Sequence, residues 1–79
     1  YNAIVALNEA GATLHYQHLG RRPPAHLRSL LIDAGASHRG YGSDITRTWS
    51  HADRDFAALV DAMDGLQRGL CAEVRPGVD

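Results

Sequence analysis

Asp33 and Asp44, eleven positions apart in "LLIDAGASHRGYGSDITRTW" (residues 30–49), and His15 in "ATLHYQ" are the side chains whose type and setting could do chemistry. Asp33 interrupts an apolar run that otherwise reads as an interior strand. The separation is odd. An even-numbered loop centred between His38 and Arg39 would therefore set Asp33 directly across from Asp44 in an antiparallel ladder, with Ile32 facing Ile45 on the other side of the sheet. Opposed residues have Cβ atoms about 4.5–5.5 Å apart, so two ionised carboxylates there repel and one tends to hold a proton. A divalent cation compensates best: carboxylate oxygens suit a hard or borderline ion such as Mn²⁺, and two ions about 3.5–4 Å apart could share them. Arg47 alternates to the opposite face from Asp44, whereas Thr46 and Thr48 share its face, which makes Thr46 a candidate to hydrogen-bond and orient the carboxylates. On spacing alone a second reading stays open, in which one aspartate is a surface residue and the other forms a turn beside Gly35 and Gly42. His15 standing alone on a strand could equally be structural.

The elements that must position these groups follow from the pattern. "AIVALN" and "ATLHYQ" are rich in strand formers and separated by "EAG", which predicts a hairpin with strands over 3–8 and 12–17. "HLGRRPPAH" breaks the pattern, because consecutive prolines lack donors and push Arg22 out of the helical region. Strands over 28–36 and 41–49 form a second hairpin. From 53 to 74 the period becomes helical, with Phe56, Leu59, Val60, Met63, Leu66, Leu70 and Val74 on one arc that packs on a sheet. Ser50 and Asp53 give an S-x-x-D start signal with the cap within a residue or two, and "RPGV" supplies the stop. The class is α+β, two antiparallel hairpins followed by one amphipathic helix.

Composition narrows the function. The 79 residues are 44% hydrophobic and 22% charged, a globular balance. A chain of this size buries only about 60% of its unfolded surface, so its core is thin. The formal net charge of -1 provides no electrostatic footprint for nucleic acid or an anionic membrane. No run approaches the length of a membrane span, and no signal-peptide pattern opens the chain. Cys71 stands alone, so no internal disulfide forms and a cytoplasmic setting is expected. The abrupt start in an apolar run and the stop after "RPGVD" read as a domain incomplete at both ends.

The stretch "IDAGASHRGYGSDITRTW", preceded by "NAIVALNEAGATLHY" and followed by "FAALVDAMDGLQRGLCAEVRPGV", resembles the bacterial Xaa-Pro dipeptidases, also called proline dipeptidases or prolidases. The organophosphorus acid anhydrolases of the same group look equally close. The resemblance covers essentially the whole chain, and its D-x-G followed by G-Y-x-x-D-x-T-R-T is specific. It implies part of a pita-bread (creatinase/aminopeptidase-like) catalytic domain. It also implies metal-dependent hydrolysis of Xaa-Pro dipeptides, with release of C-terminal proline by a hydroxide that two divalent ions activate. Mn²⁺ is the expected ion, with Co²⁺ or Zn²⁺ as alternatives. Asp33 would chelate one ion and Asp44 bridge both, while His15 would lie beside the proline or its carboxylate. The remaining ligands would lie outside this segment, so no catalytic residue is assigned within it, and the 79-residue chain alone is expected to be inactive. A homodimer is implied for the full-length protein. A peptide-binding domain without hydrolysis and a phosphotriester-hydrolysing relative are the alternatives. His18, His26, His38 and His51 match none of the family positions and are expected to be exposed.

Overall fold

The computed structural model describes residues 2–79. The chain runs β1 (Ile4–Leu7), a 3₁₀ helix (Asn8–Ala12), β2 (Ser29–Ala34), β3 (Ser37–His38), β4 (Tyr41–Gly42), β5 (Ile45–Ser50) and α1 (Arg54–Ala72). β1, β2 and β5 make an antiparallel sheet with β2 in the middle, and β3 and β4 form a separate two-stranded ribbon. The central place of β2 agrees with its sequence, "SLLIDA", whose nearly continuous apolar run suits an interior strand covered on both faces.

The expected strand over 12–17, and with it the first hairpin, is absent: β1 pairs with β2 instead, Ile4 across from Asp33 and Leu7 across from Leu30. Asn8 takes a left-handed backbone, φ 52°, which turns the chain from β1 directly into the 3₁₀ helix. Asparagine tolerates that conformation better than most residues. Thr13 then bends and Leu14 and His15 form a turn, so "ATLHYQ" never extends. Its alternation had suggested a half-buried strand, but Leu14 and the nearby Leu19 are exposed.

The second hairpin forms, with a different register. Arg39 and Gly40 both have positive φ, 52° and 82°, between β3 and β4. Positive φ at both central residues characterises the two-residue type I′ turn, whose twist matches that of the flanking strands. The turn centre therefore falls between Arg39 and Gly40, one position later than expected, and the pairing slips by two residues. Asp33 faces Thr46 rather than Asp44, and Ile32 faces Arg47 rather than Ile45, which pairs with Ala34. Between the sheet and the ribbon the ladder is interrupted but keeps step: the Ser43 N–H donates to the Ala36 carbonyl at 2.8 Å, and the Ala36 N–H donates to Ser43 Oγ at 3.0 Å. A side-chain oxygen thus accepts where a backbone carbonyl would in a regular pair.

α1 packs along β5. Its cap is Asp53, whose Oδ1 accepts the Phe56 N–H at 2.9 Å, while Ser50 Oγ donates to the Asp53 carbonyl at 2.8 Å. The helix half-buries Phe56, Ala57, Val60 and Asp64, a narrower stripe than the sequence arc, and leaves Leu59, Met63, Leu66, Leu70 and Val74 exposed. Asp64 joins helix to sheet, lying 3.6 Å from Arg47 and 2.9 Å from Arg68. Among the described residues only Ile4 and Ala6 are buried, at 8% and 2% exposure, so the core is as thin as the length implied. No helix among them is long and apolar enough to cross a membrane.

Candidate metal centre

Asp33 sits near the end of the middle strand, half-buried, with Ile4 of β1 across one edge and Thr46 of β5 across the other. Alternation puts it on the same face of the sheet as Ile4 and Ala6, the two buried residues among those described. Asp44 lies in the interruption just before β5, two residues ahead of Thr46, and is exposed. A slip of two preserves the alternation of faces, where a slip of one would have reversed it. The slip does change the spacing: in a regular ladder, diagonal neighbours stand about 7–8 Å apart instead of directly opposed. The carboxylate repulsion anticipated for opposed residues is weaker in such an arrangement. Thr46 holds the position directly across from Asp33 that the sequence reading gave to Asp44.

His15 is not on a strand. It follows the 3₁₀ helix in the turn, exposed, with φ 54°. The sheet therefore brings Asp33, Asp44 and Thr46 to one hairpin, and His15 belongs to the neighbouring loop. His18, His26, His38 and His51 are exposed, as expected, and His18 lies edge-on to Tyr16 with ring centroids 5.9 Å apart. Among the described residues no three or more of His, Cys, Asp and Glu gather closely enough to hold a metal ion. Asp33 and Asp44 offer acceptor-only oxygens on one hairpin, a donor set that suits a hard or borderline divalent cation. Two carboxylates do not complete a coordination sphere, so what this segment fits is a share of a metal centre.

Sequence reasoning missed the polar clamp at the neck of the loop. Asn8 Nδ2 donates to the His26 carbonyl at 2.7 Å, and Asn8 Oδ1 accepts the N–H groups of Arg28 and Ser29 at 2.7 and 3.2 Å. Beside it Arg28 donates to Glu9 at 3.0 Å. The Glu9 carboxyl is held below its ordinary range, first by a hydrogen bond from its own backbone N–H and then by the Arg28 guanidinium. An asparagine closing a strand and followed by "EAG" was the available signal, and it was read only as the edge of a hairpin turn.

A model of Metallopeptidase family M24 matches residues 1–79, the whole chain. The chain belongs to this family. Among curated proteins, it is 59% identical over 80 residues to a protein named Xaa-Pro dipeptidase from Stenotrophomonas maltophilia (strain K279a). It is likewise 59% identical over 80 residues to one of the same name from Xanthomonas axonopodis pv. citri (strain 306), and 58% identical to one from Xanthomonas campestris pv. campestris (strain B100). In each case all of this chain and 18% of the relative is covered. The segment thus spans about a fifth of the length of these relatives, and its antiparallel hairpin and helix are a part of an M24 domain.

Proposed function

We propose that this segment contributes part of the metal centre of an Xaa-Pro dipeptidase, a hydrolase that releases C-terminal proline from dipeptides. The observation that carries the reading is identity of 59% across the entire segment to proteins of that name. In this reading Asp33 and Asp44 hold two divalent cations, Mn²⁺ foremost, together with donors from the rest of the protein. Thr46, across from Asp33, orients a carboxylate by hydrogen bonding. The chemistry supplied by such ions when bound is acidification of water and polarisation of a carbonyl.

This chain's own residues do the holding and the discrimination. Backbone pairing on both sides of the middle strand fixes the Cα of Asp33 and the face of the sheet from which its side chain projects. His15 lies exposed on a turn, and in this reading it holds the proline ring or its carboxylate. The Xaa-Pro bond is a tertiary amide without an N–H, so a site built around the ring need not provide an acceptor there, and an ordinary dipeptide leaves its N–H unpaired. The full-length protein is proposed to act as a cytoplasmic homodimer. The test is hydrolysis of an Xaa-Pro dipeptide by the full-length protein with and without Mn²⁺. Turnover that requires metal and fails in Asp33→Asn and Asp44→Asn supports the reading. Peptide binding without turnover under several divalent ions would replace it with a non-catalytic peptide-binding domain, and preferential phosphotriester turnover would replace the substrate class.

A further inference from the structure

The loop that presents His15 has almost no framework of its own. Among the described residues, the Thr13 N–H donates to the Ala10 carbonyl at 3.1 Å, and residues 14–27 make no backbone–backbone hydrogen bond. Prolines at 23 and 24 could not donate one. What closes the loop is side-chain chemistry at its neck. The Asn8 amide uses both of its ends: Nδ2 on the His26 carbonyl and Oδ1 on the N–H groups of Arg28 and Ser29, contacts that span 18 to 21 residues of sequence. The Arg28–Glu9 pair adds an exposed tie beside it. The same Asn8, through its φ of 52°, sets the direction in which the 3₁₀ helix carries the chain toward His15.

We infer that Asn8 is a positioning residue: its amide locks the neck of the 9–27 loop and thereby fixes where His15 stands relative to the sheet that bears Asp33. The inference rests on the proposed role of His15 in holding the substrate. Asn8 touches neither metal nor substrate and acts only through the loop. Its loss weakens substrate binding while leaving the metal centre whole.

The experiment is Asn8→Gly in the full-length protein, a change that keeps the left-handed backbone accessible and deletes the clamp. Losing the clamp bonds predicts a KM for an Xaa-Pro dipeptide raised about tenfold, with kcat changed by less than about twofold. Bound Mn²⁺ and the melting temperature stay at the wild-type level. In a His15→Ala background the same substitution leaves KM unchanged, because the group it positions is gone. Asn8→Asp retains the acceptor for Arg28 and Ser29 but loses the donor to His26, and it restores part of the lost affinity. A second arm does not depend on catalysis: trypsin cleaves after Arg21, inside the loop, about tenfold faster in Asn8→Gly than in wild type. An unchanged KM in Asn8→Gly, additive effects with His15→Ala, or a joint fall of kcat, metal content and melting temperature overturns the inference. Should Asn8→Gly not fold, Asn8→Asp decides by the same readouts. If wild type does not cleave Xaa-Pro dipeptides at all, the proposed function fails instead, and an unaltered tryptic rate then overturns the clamp separately.

Discussion

Replacing Gly40 with alanine tests the turn that sets the register of the aspartates. Gly40 has φ 82°, and a Cβ built there meets nothing within 4 Å, so the cost is backbone strain without a steric clash. An L-residue forced into left-handed backbone loses about 1–2 kcal/mol. Arg39, at φ 52°, already carries such a penalty, and Arg39→Asn creates the Asn-Gly pair that type I′ turns favour, recovering a few tenths to about 1 kcal/mol. The assay is hydrogen exchange of the Ser43 amide in the full-length protein, since that N–H bonds to the Ala36 carbonyl and opens when the ribbon opens. Gly40→Ala should speed its exchange by about 5–30-fold and Arg39→Asn should slow it, with amides in the middle of α1 as the unaffected control. Exchange that is unchanged in Gly40→Ala and faster in Arg39→Asn would refute the turn at 39–40, and with it the pairing of Asp33 with Thr46.

Other outcomes follow from single contacts. Asp53→Ala removes the oxygen that accepts the Phe56 N–H, and should cost about 1 kcal/mol, read as faster exchange in the first turn of α1. Asp64→Asn weakens pairs with Arg47 and Arg68 whose side chains are more than half exposed, so its effect on stability should stay below about 1 kcal/mol and shrink further at high salt. Because the Glu9 carboxyl is held below its ordinary value, its contribution to the loop neck is fully present above that value and is lost as pH falls through the lowered one. Exchange at Arg28 should therefore separate wild type from Glu9→Gln at neutral pH and converge once the pH has fallen below the lowered value. The purified 79-residue chain, with only Ile4 and Ala6 buried among the described residues and a helix stripe from Leu59 to Leu70 exposed, should bind a hydrophobic dye, melt without cooperativity and hydrolyse nothing. A cooperative melt with metal-dependent turnover would contradict that.

How much was legible in the sequence depended on whether the signal was local. The helix could be read because its cap, Asp53, and its apolar period both lie within the segment that folds, and its observed limits differ from the expected ones by one or two residues. The second hairpin could be read from two long β-forming runs, but its register could not, because the deciding turn is Arg-Gly and not one of the strong turn dipeptides. A difference of one position in the turn centre became two residues in the ladder, enough to move Asp44 from directly across Asp33 and put Thr46 there. The first hairpin failed for a non-local reason: "ATLHYQ" has strand propensity, but β1 finds a better partner in the apolar β2, more than twenty residues away, and Asn8 turns the intervening chain aside. The helix stripe was too broad for the same kind of reason, since this sheet covers only the Phe56, Ala57, Val60 and Asp64 side. Candidate ligands were recognisable as residue types, whereas the clamp that organises the His15 loop emerged only when residues 8 and 26–29 met in space.

The most direct test of the central claim is Mn²⁺-dependent hydrolysis of an Xaa-Pro dipeptide by the full-length protein, measured beside Asp44→Asn. Turnover that requires the metal, with loss of both turnover and tightly held Mn²⁺ in the variant, is the result expected if Asp44 is a ligand of a hydrolytic centre. Asp44→Asn that retains wild-type turnover and metal content would contradict it and leave Asp44 as a residue of the hairpin alone.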